Sequence, residues 1–269
     1  MVNIYGLFDG KEHLVTEQKG IFSVVEHQRD LTVSPMTAQT EYFMGRMGVR
    51  KKQLLATMDG SVGVTIQAGA MQWMAGSVGA TTGIKGVGDF ASKIFKGAAT
   101  GESAIKPEYV GNGYLMLEPT YKYLLLEDVG DWDGGLVLDD GLYLASESTV
   151  EYQLEARSNL SSAALGNKGL FNLKLAGKGI CALESNVARE QLITVDLVDD
   201  ELKVDGSFAI CWSGSLKFTV EKAGKTLIGS AVSGEGFVNV YKGTGRVLLS
   251  PLDNPATLYS AGTPQRKTK

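Results

Sequence analysis

The chain has 269 residues, 43% of them hydrophobic and 21% charged, with a net charge of −4 and a sequence pI near 5.4. That supplies a sizeable core, and the mild acidity, with no basic stretch denser than Arg50-Lys-Lys52 and the tail Arg266-Lys-Thr-Lys269, disfavours nucleic acid as a partner. No run approaches the roughly 20 apolar residues of a membrane span, and the start Met1-Val-Asn-Ile-Tyr-Gly-Leu-Phe-Asp lacks a basic segment followed by an apolar core, so a cytoplasmic location is expected.

Residues 1–40 read as an N-terminal extension and hold both histidines, His13 and His27. A Ser-His-Asp or Cys-His site would have to recruit that extension, so the protein is expected not to be an enzyme. Beyond the extension, in segments that prove to repeat, apolar and polar residues alternate in runs of five to seven bounded by Gly, Asp, Asn or Ser, which is strand periodicity. Val64-Thr-Ile-Gln-Ala-Gly-Ala opens the pattern within a first lobe spanning 41–119.

The alternation breaks near 79–104, where Asp89 reads as the N-cap and Gly97 as the stop of a short helix hung on glycines. Its apolar residues Phe90, Ile94 and Phe95 have two readings: a lid on the first lobe, or a contact with a protein partner or membrane surface rimmed by Lys93 and Lys96.

After it comes a phrase spoken three times. Gly111-Asn-Gly113-Tyr-Leu-Met-Leu-Glu recurs as Gly177-Lys-Gly179-Ile-Cys-Ala-Leu-Glu and as Gly243-Thr-Gly245-Arg-Val-Leu-Leu-Ser, at constant offsets of 66 (177 − 111 and 243 − 177). The register holds between the phrases: Leu136-Val-Leu meets Leu202-Lys-Val, Val150, Tyr152 and Leu154 meet Leu216, Phe218 and Val220, and Phe171 meets Phe237. Upstream, Val64 and Val78 precede Leu136 and Val150 by 72 (136 − 64 and 150 − 78). A period this long fits one small domain per repeat. The expected fold is therefore all-β, with lobes at 41–119, 120–185 and 186–251 and a tail at 252–269. Asp59-Gly60, Asp133-Gly134, Asp140-Gly141 and Asp205-Gly206 supply hairpin turns, so consecutive strands should pair antiparallel.

Sites for chemistry are sparse. The paired glycines Gly111/Gly113, Gly177/Gly179 and Gly243/Gly245 resemble phosphate loops, but none precedes a helix, so they read as strand-entry bulges or turns. Gly86-Val-Gly88 does precede the predicted helix, yet Asp89 there would repel an anion. Asp128, Asp131 and Asp133 could face a cation, but only Asp199 stands in register with Asp133 one repeat on, which favours a solvated loop; no metal and no cofactor are expected. Cys181 and Cys211 lie inside strand patterns as small, buried, reduced hydrophobes.

The phrases Gln67-Ala-Gly-Ala-Met-Gln-Trp-Met-Ala-Gly, Thr100-Gly-Glu-Ser, Val195-Asp-Leu-Val-Asp-Asp-Glu-Leu and Gly234-Glu-Gly-Phe-Val-Asn-Val, with the three Gly-x-Gly strands, resemble the altered-inheritance-of-mitochondria protein 24 family from about Glu41 to Pro251. That resemblance implies a fold similar to the tryptophan RNA-binding attenuator protein, a short double-stranded β-helix, with tandem copies around a pseudo-threefold axis. It implies a role at the mitochondrial inner membrane for eukaryotic members and none established for bacterial ones. The chain lacks a transit-peptide pattern, and no tryptophan or RNA ligands of the attenuator protein match positions in it.

Two functional readings follow. One is a noncatalytic scaffold, a homo-oligomer associating through lobe edges or holding an unknown protein partner. The other is a small-ligand or nucleic-acid binder using clefts between lobes, with Trp73, Trp132 or Trp212 as stacking platforms.

Overall fold

A computed structural model describes residues 2–81, 106–156, 171–222 and 237–252. The predicted helix with Phe90, Ile94 and Phe95 lies outside the described residues. The chain runs β1 (His13–Lys19), β2 (Phe22–His27), α1 (Ala38–Arg46), β3 (Lys52–Asp59), β4 (Val64–Ile66), β5 (Met71–Thr81) and β6 (Glu108–Leu117). It continues through β7 (Tyr123–Asp128), β8 (Leu136–Leu138), β9 (Tyr143–Glu147), β10 (Val150–Ala156), β11 (Phe171–Gly177) and β12 (Ile180–Ser185). Strands β13 (Ile193–Asp205), β14 (Ala209–Ser213), β15 (Lys217–Lys222) and β16 (Phe237–Leu249) complete it. The fold is all-β, as the alternation predicts, and every strand pair is antiparallel. No helix among the described residues is long and apolar enough to cross a membrane.

Nine strands form one sheet, in the order β1-β2-β3-β6-β4-β9-β12-β7 with β5 joined to β6, and seven form a second, β10-β11-β8-β14-β16-β13 with β15 joined to β16. The first sheet curls: Leu124 and Leu126 from its last strand share one core with Phe22, Leu54 and Leu115 from its other end, which a flat sheet could not bring together. Leu125, between them, points the other way into a second core with Leu136, Tyr143 and Leu175. Strands β7 and β12 are thus walls between two cores, which is why they read as continuous apolar runs rather than alternating ones.

The repeat spacing reappears in the ladders. Val64 pairs with Tyr109, Leu136 with Leu175, and Leu202 with Tyr241, positions related by the offsets of 72 and 66. Gly79↔Val110, Glu151↔Ala176 and Lys217↔Lys242 form a second equivalent set. A gapless repeat places equivalent side chains on equivalent faces, because the side-chain period of a strand is two.

Three expectations need correction. Two of the three glycine pairs are not at strand entries: Gly111 and Gly113 lie within β6, and Gly243 and Gly245 within β16. At the middle copy, Gly177 ends β11 in the second sheet and Gly179 precedes β12 in the first, so this pair is the corner where the chain passes between sheets. All six have positive φ, from +86° to +157°, a backbone state that bends a strand sharply and that side chains rarely tolerate.

Residues 1–40 are not separate from the fold, because β2 pairs along β3 and extends the first sheet. Ile21 N and Ile180 N both donate to the Glu147 carboxylate, at 3.3 and 2.9 Å, tying the β1–β2 turn to the middle copy. The α-helix of the described residues is α1, which no apolar periodicity announces, since none of its residues is buried.

Candidate functional site

The two ladders that join successive copies are themselves equivalent. Strand β4 pairs with β9 through Val64↔Glu147, Thr65↔Ser146 and Ile66↔Ala145; strand β8 pairs with β14 through Leu136↔Ser213, Val137↔Trp212 and Leu138↔Cys211. Their flanking bonds match as well. Gln67 N donates to Leu144 O at 2.7 Å where Asp139 N donates to Ile210 O at 2.9 Å, and Ser148 N to Gly63 O where Gly214 N donates to Gly135 O, both at 2.8 Å.

One further step along the chain gives Leu202, Lys203 and Val204 on β13 as the equivalents of β8, and Ala75, Met74 and Trp73 on β5 as the equivalents of β9. These two segments do not pair: among the described residues β5 bonds only β6, and β13 bonds only β16, so each leaves one edge open. Burial follows the difference. Ala145 and Cys211, at the closed seams, are 0% exposed, whereas Trp73, at the same repeat position, is half-buried. Val64 and Leu136 are likewise buried and Leu202 is only half-buried. In the matching register, Trp73 would stand opposite Val204 and Met74 opposite Lys203. Unpaired edges are templates for another strand.

The remaining sequence candidates divide. Trp132 and Trp212 are 4% and 3% exposed and cannot act as stacking platforms. Trp132 Nε1 donates to Glu127 Oε2 at 3.4 Å, and Trp212 packs against Phe218 and Tyr241 with ring centroids 5.4 and 5.1 Å away. Asp128 Oδ1 accepts from Gly130 N at 2.9 Å and caps a single 3-10 turn. Tyr143, Tyr152 and Ser146 form a buried hydroxyl cluster whose Tyr143 hydroxyl donates to Thr65 O at 2.9 Å; burial holds both phenols above their usual range, so they stay neutral.

Both cysteines are free and buried, and burial raises each thiol well above its ordinary value. Since the thiolate is the reactive form, neither should be alkylated by iodoacetamide in the folded protein, while both should react once denaturant is added. Mass-resolved labelling checks this, and modification of native protein at either position would contradict it.

Sequence reasoning missed a cleft between α1 and the segments that leave β2 and enter β3, about 390 Å³ in volume. Arg50 and Lys51 were visible only as a basic cluster beside a strand; their acidic neighbours Glu26 and Asp30 lie some 20 residues away in sequence and meet them only in the fold.

Comparison with known proteins agrees with this architecture. The family profile described as "Mitochondrial biogenesis AIM24" matches residues 47–252. An uncharacterized protein of Streptococcus pyogenes serotype M6 is 26% identical over 200 residues, covering 71% of this chain and 77% of that protein. A crystal structure of a Streptococcus pyogenes protein superposes with a TM-score of 0.56 at 22% identity, covering 79% of this chain and 93% of the other, which supports the fold. With its profile spanning most of the sequence and its curled all-β architecture shared with a solved structure, the chain belongs to the mitochondrial biogenesis AIM24 family.

Proposed function

We propose that the protein is a noncatalytic scaffold of the cytoplasm that self-associates through its lobe edges, with β5 of one copy pairing antiparallel to β13 of the next. The observation that carries this reading is the ladder made twice within the chain and left open at its third equivalent place. Such an interface is heterologous: every copy offers one edge and accepts a different one, so assembly propagates into a ring or a filament. Main-chain bonds supply the register, and Trp73 against Val204 supplies an aromatic anchor of the kind that dominates interfaces.

Chains carrying Met74→Cys, mixed with chains carrying Lys203→Cys and oxidised, should give a disulfide-linked dimer on a denaturing gel, since directly opposed residues on paired strands stand about 4.5–5.5 Å apart at Cα. Neither variant alone should form it. Lys203→Pro, which removes a main-chain donor from an open edge where proline is tolerated, should lower the solution mass toward that of one chain. A wild-type protein that remains a single chain at its highest soluble concentration, or a mixture that fails to cross-link, would sink the proposal.

A further inference from the structure

The cleft beside α1 is independent of the strand edges, and its charges are not all spent. Its two carboxylates are engaged: Asp30 pairs with Lys51 and accepts from Thr32 N at 2.8 Å, and Glu41 accepts the Tyr121 hydroxyl. Burial first, then Glu41, pushes Tyr121 up to about 12, so that hydroxyl remains a donor. The guanidiniums are less well matched. Arg50 Nη1 reaches Glu26 at 3.3 Å and Gln28 at 3.0 Å, but its Nε is buried with no acceptor. Arg46, at the end of α1, lines the same cleft, is exposed, and makes no salt bridge among the described residues. The Arg50 Nε is enclosed and beyond a ligand's reach, but the Arg50 side chain as a whole is 34% exposed where it lines the cleft.

Leu31, Val33, Ala38 and Val49 line the rest of the cleft. Its volume falls in the range of small-molecule sites. We propose that this cleft binds a small amphiphilic organic anion, its carboxylate on Arg50 and Arg46 and its apolar body against the wall formed by Leu31, Val33 and Ala38. Planar guanidinium groups suit a carboxylate because they offer paired donors in a fixed fork.

Sodium octanoate serves as the probe and 1-octanol as its neutral counterpart, each titrated calorimetrically into the full chain. Octanoate should bind saturably and octanol should neither bind comparably nor compete. Arg50→Gln and Arg46→Gln should each weaken octanoate at least about tenfold, or about 1.4 kcal/mol. Arg50→Gln also leaves Glu26 with Lys52 as its one remaining cation, so Gly45→Leu provides a test that leaves the charges alone. A side chain there meets nothing within 4 Å in the free protein and would occupy the cleft. It should abolish octanoate binding while leaving the solution mass unchanged, which separates this inference from edge pairing. No saturable octanoate binding, equal binding of octanol, or arginine and Gly45 variants that bind like the wild type would each overturn it.

Discussion

Gly113→Ala is expected to cost more than about 3 kcal/mol of stability, the joint effect of a strained backbone and an overpacked site. At φ +149° an added Cβ would lie 2.0 Å from the carbonyl oxygen of Ala75. That oxygen belongs to the main chain of β5, which is paired along the whole of β6, so relief requires opening the ladder rather than turning a side chain. Gly111 is equally confined, 1.9 Å from Ser77 O. Gly243 separates strain from clash: its φ is +127°, yet the nearest atom to a new Cβ is 3.8 Å away. Gly243→Ala should therefore cost only the backbone strain, about 1–3 kcal/mol. Urea unfolding of the two variants measures the difference. Equal losses would mean that the close approach of β5 to β6 contributes nothing.

Trp212→Ala is expected to lose about 3–5 kcal/mol, the range for emptying a large aromatic site in a core. Trp212 stands on β14 opposite Val137 on one side and Val247 on the other, so the cavity would open at the seam between the second and third copies. Phe218 and Tyr241 would each lose a ring neighbour. Trp73→Ala provides the contrast. That ring packs from outside on the small cluster of Val25, Leu55 and Met116 and stays half-buried, so its loss should cost a single chain less than Trp212 does while weakening association. Denaturation midpoints and solution mass for both variants test the pair. A small loss at Trp212 would mean that its buried site collapses around the gap.

The solvent-facing helix α1 shows where local pattern stops being informative. None of its nine residues is fully buried, and of its apolar side chains only Ala38 and Met44 are half-buried, so no apolar stripe marks it in the sequence. The β1–β2 hairpin is similar: Phe22, Val24 and Val25 are buried against β3 and the first cores, yet nothing in the first forty residues repeats later, so its place in the sheet could not be read from spacing.

Spacing and alternation by themselves determined the strands of the repeated segments, their antiparallel pairing and the common register of the copies. A constant offset with no gap leaves equivalent residues no freedom to face different ways, and this is why Val64, Leu136 and Leu202 find equivalent partners. Only the tertiary structure decided which of three tryptophans is partly exposed, that Leu125 belongs to a different core from its neighbours, that two ladder edges stay open among the described residues, and that Arg50 meets Glu26. Each of these depends on segments far apart in the chain that share no local periodicity, and burial and electrostatic pairing are properties of neighbours in space rather than neighbours in sequence.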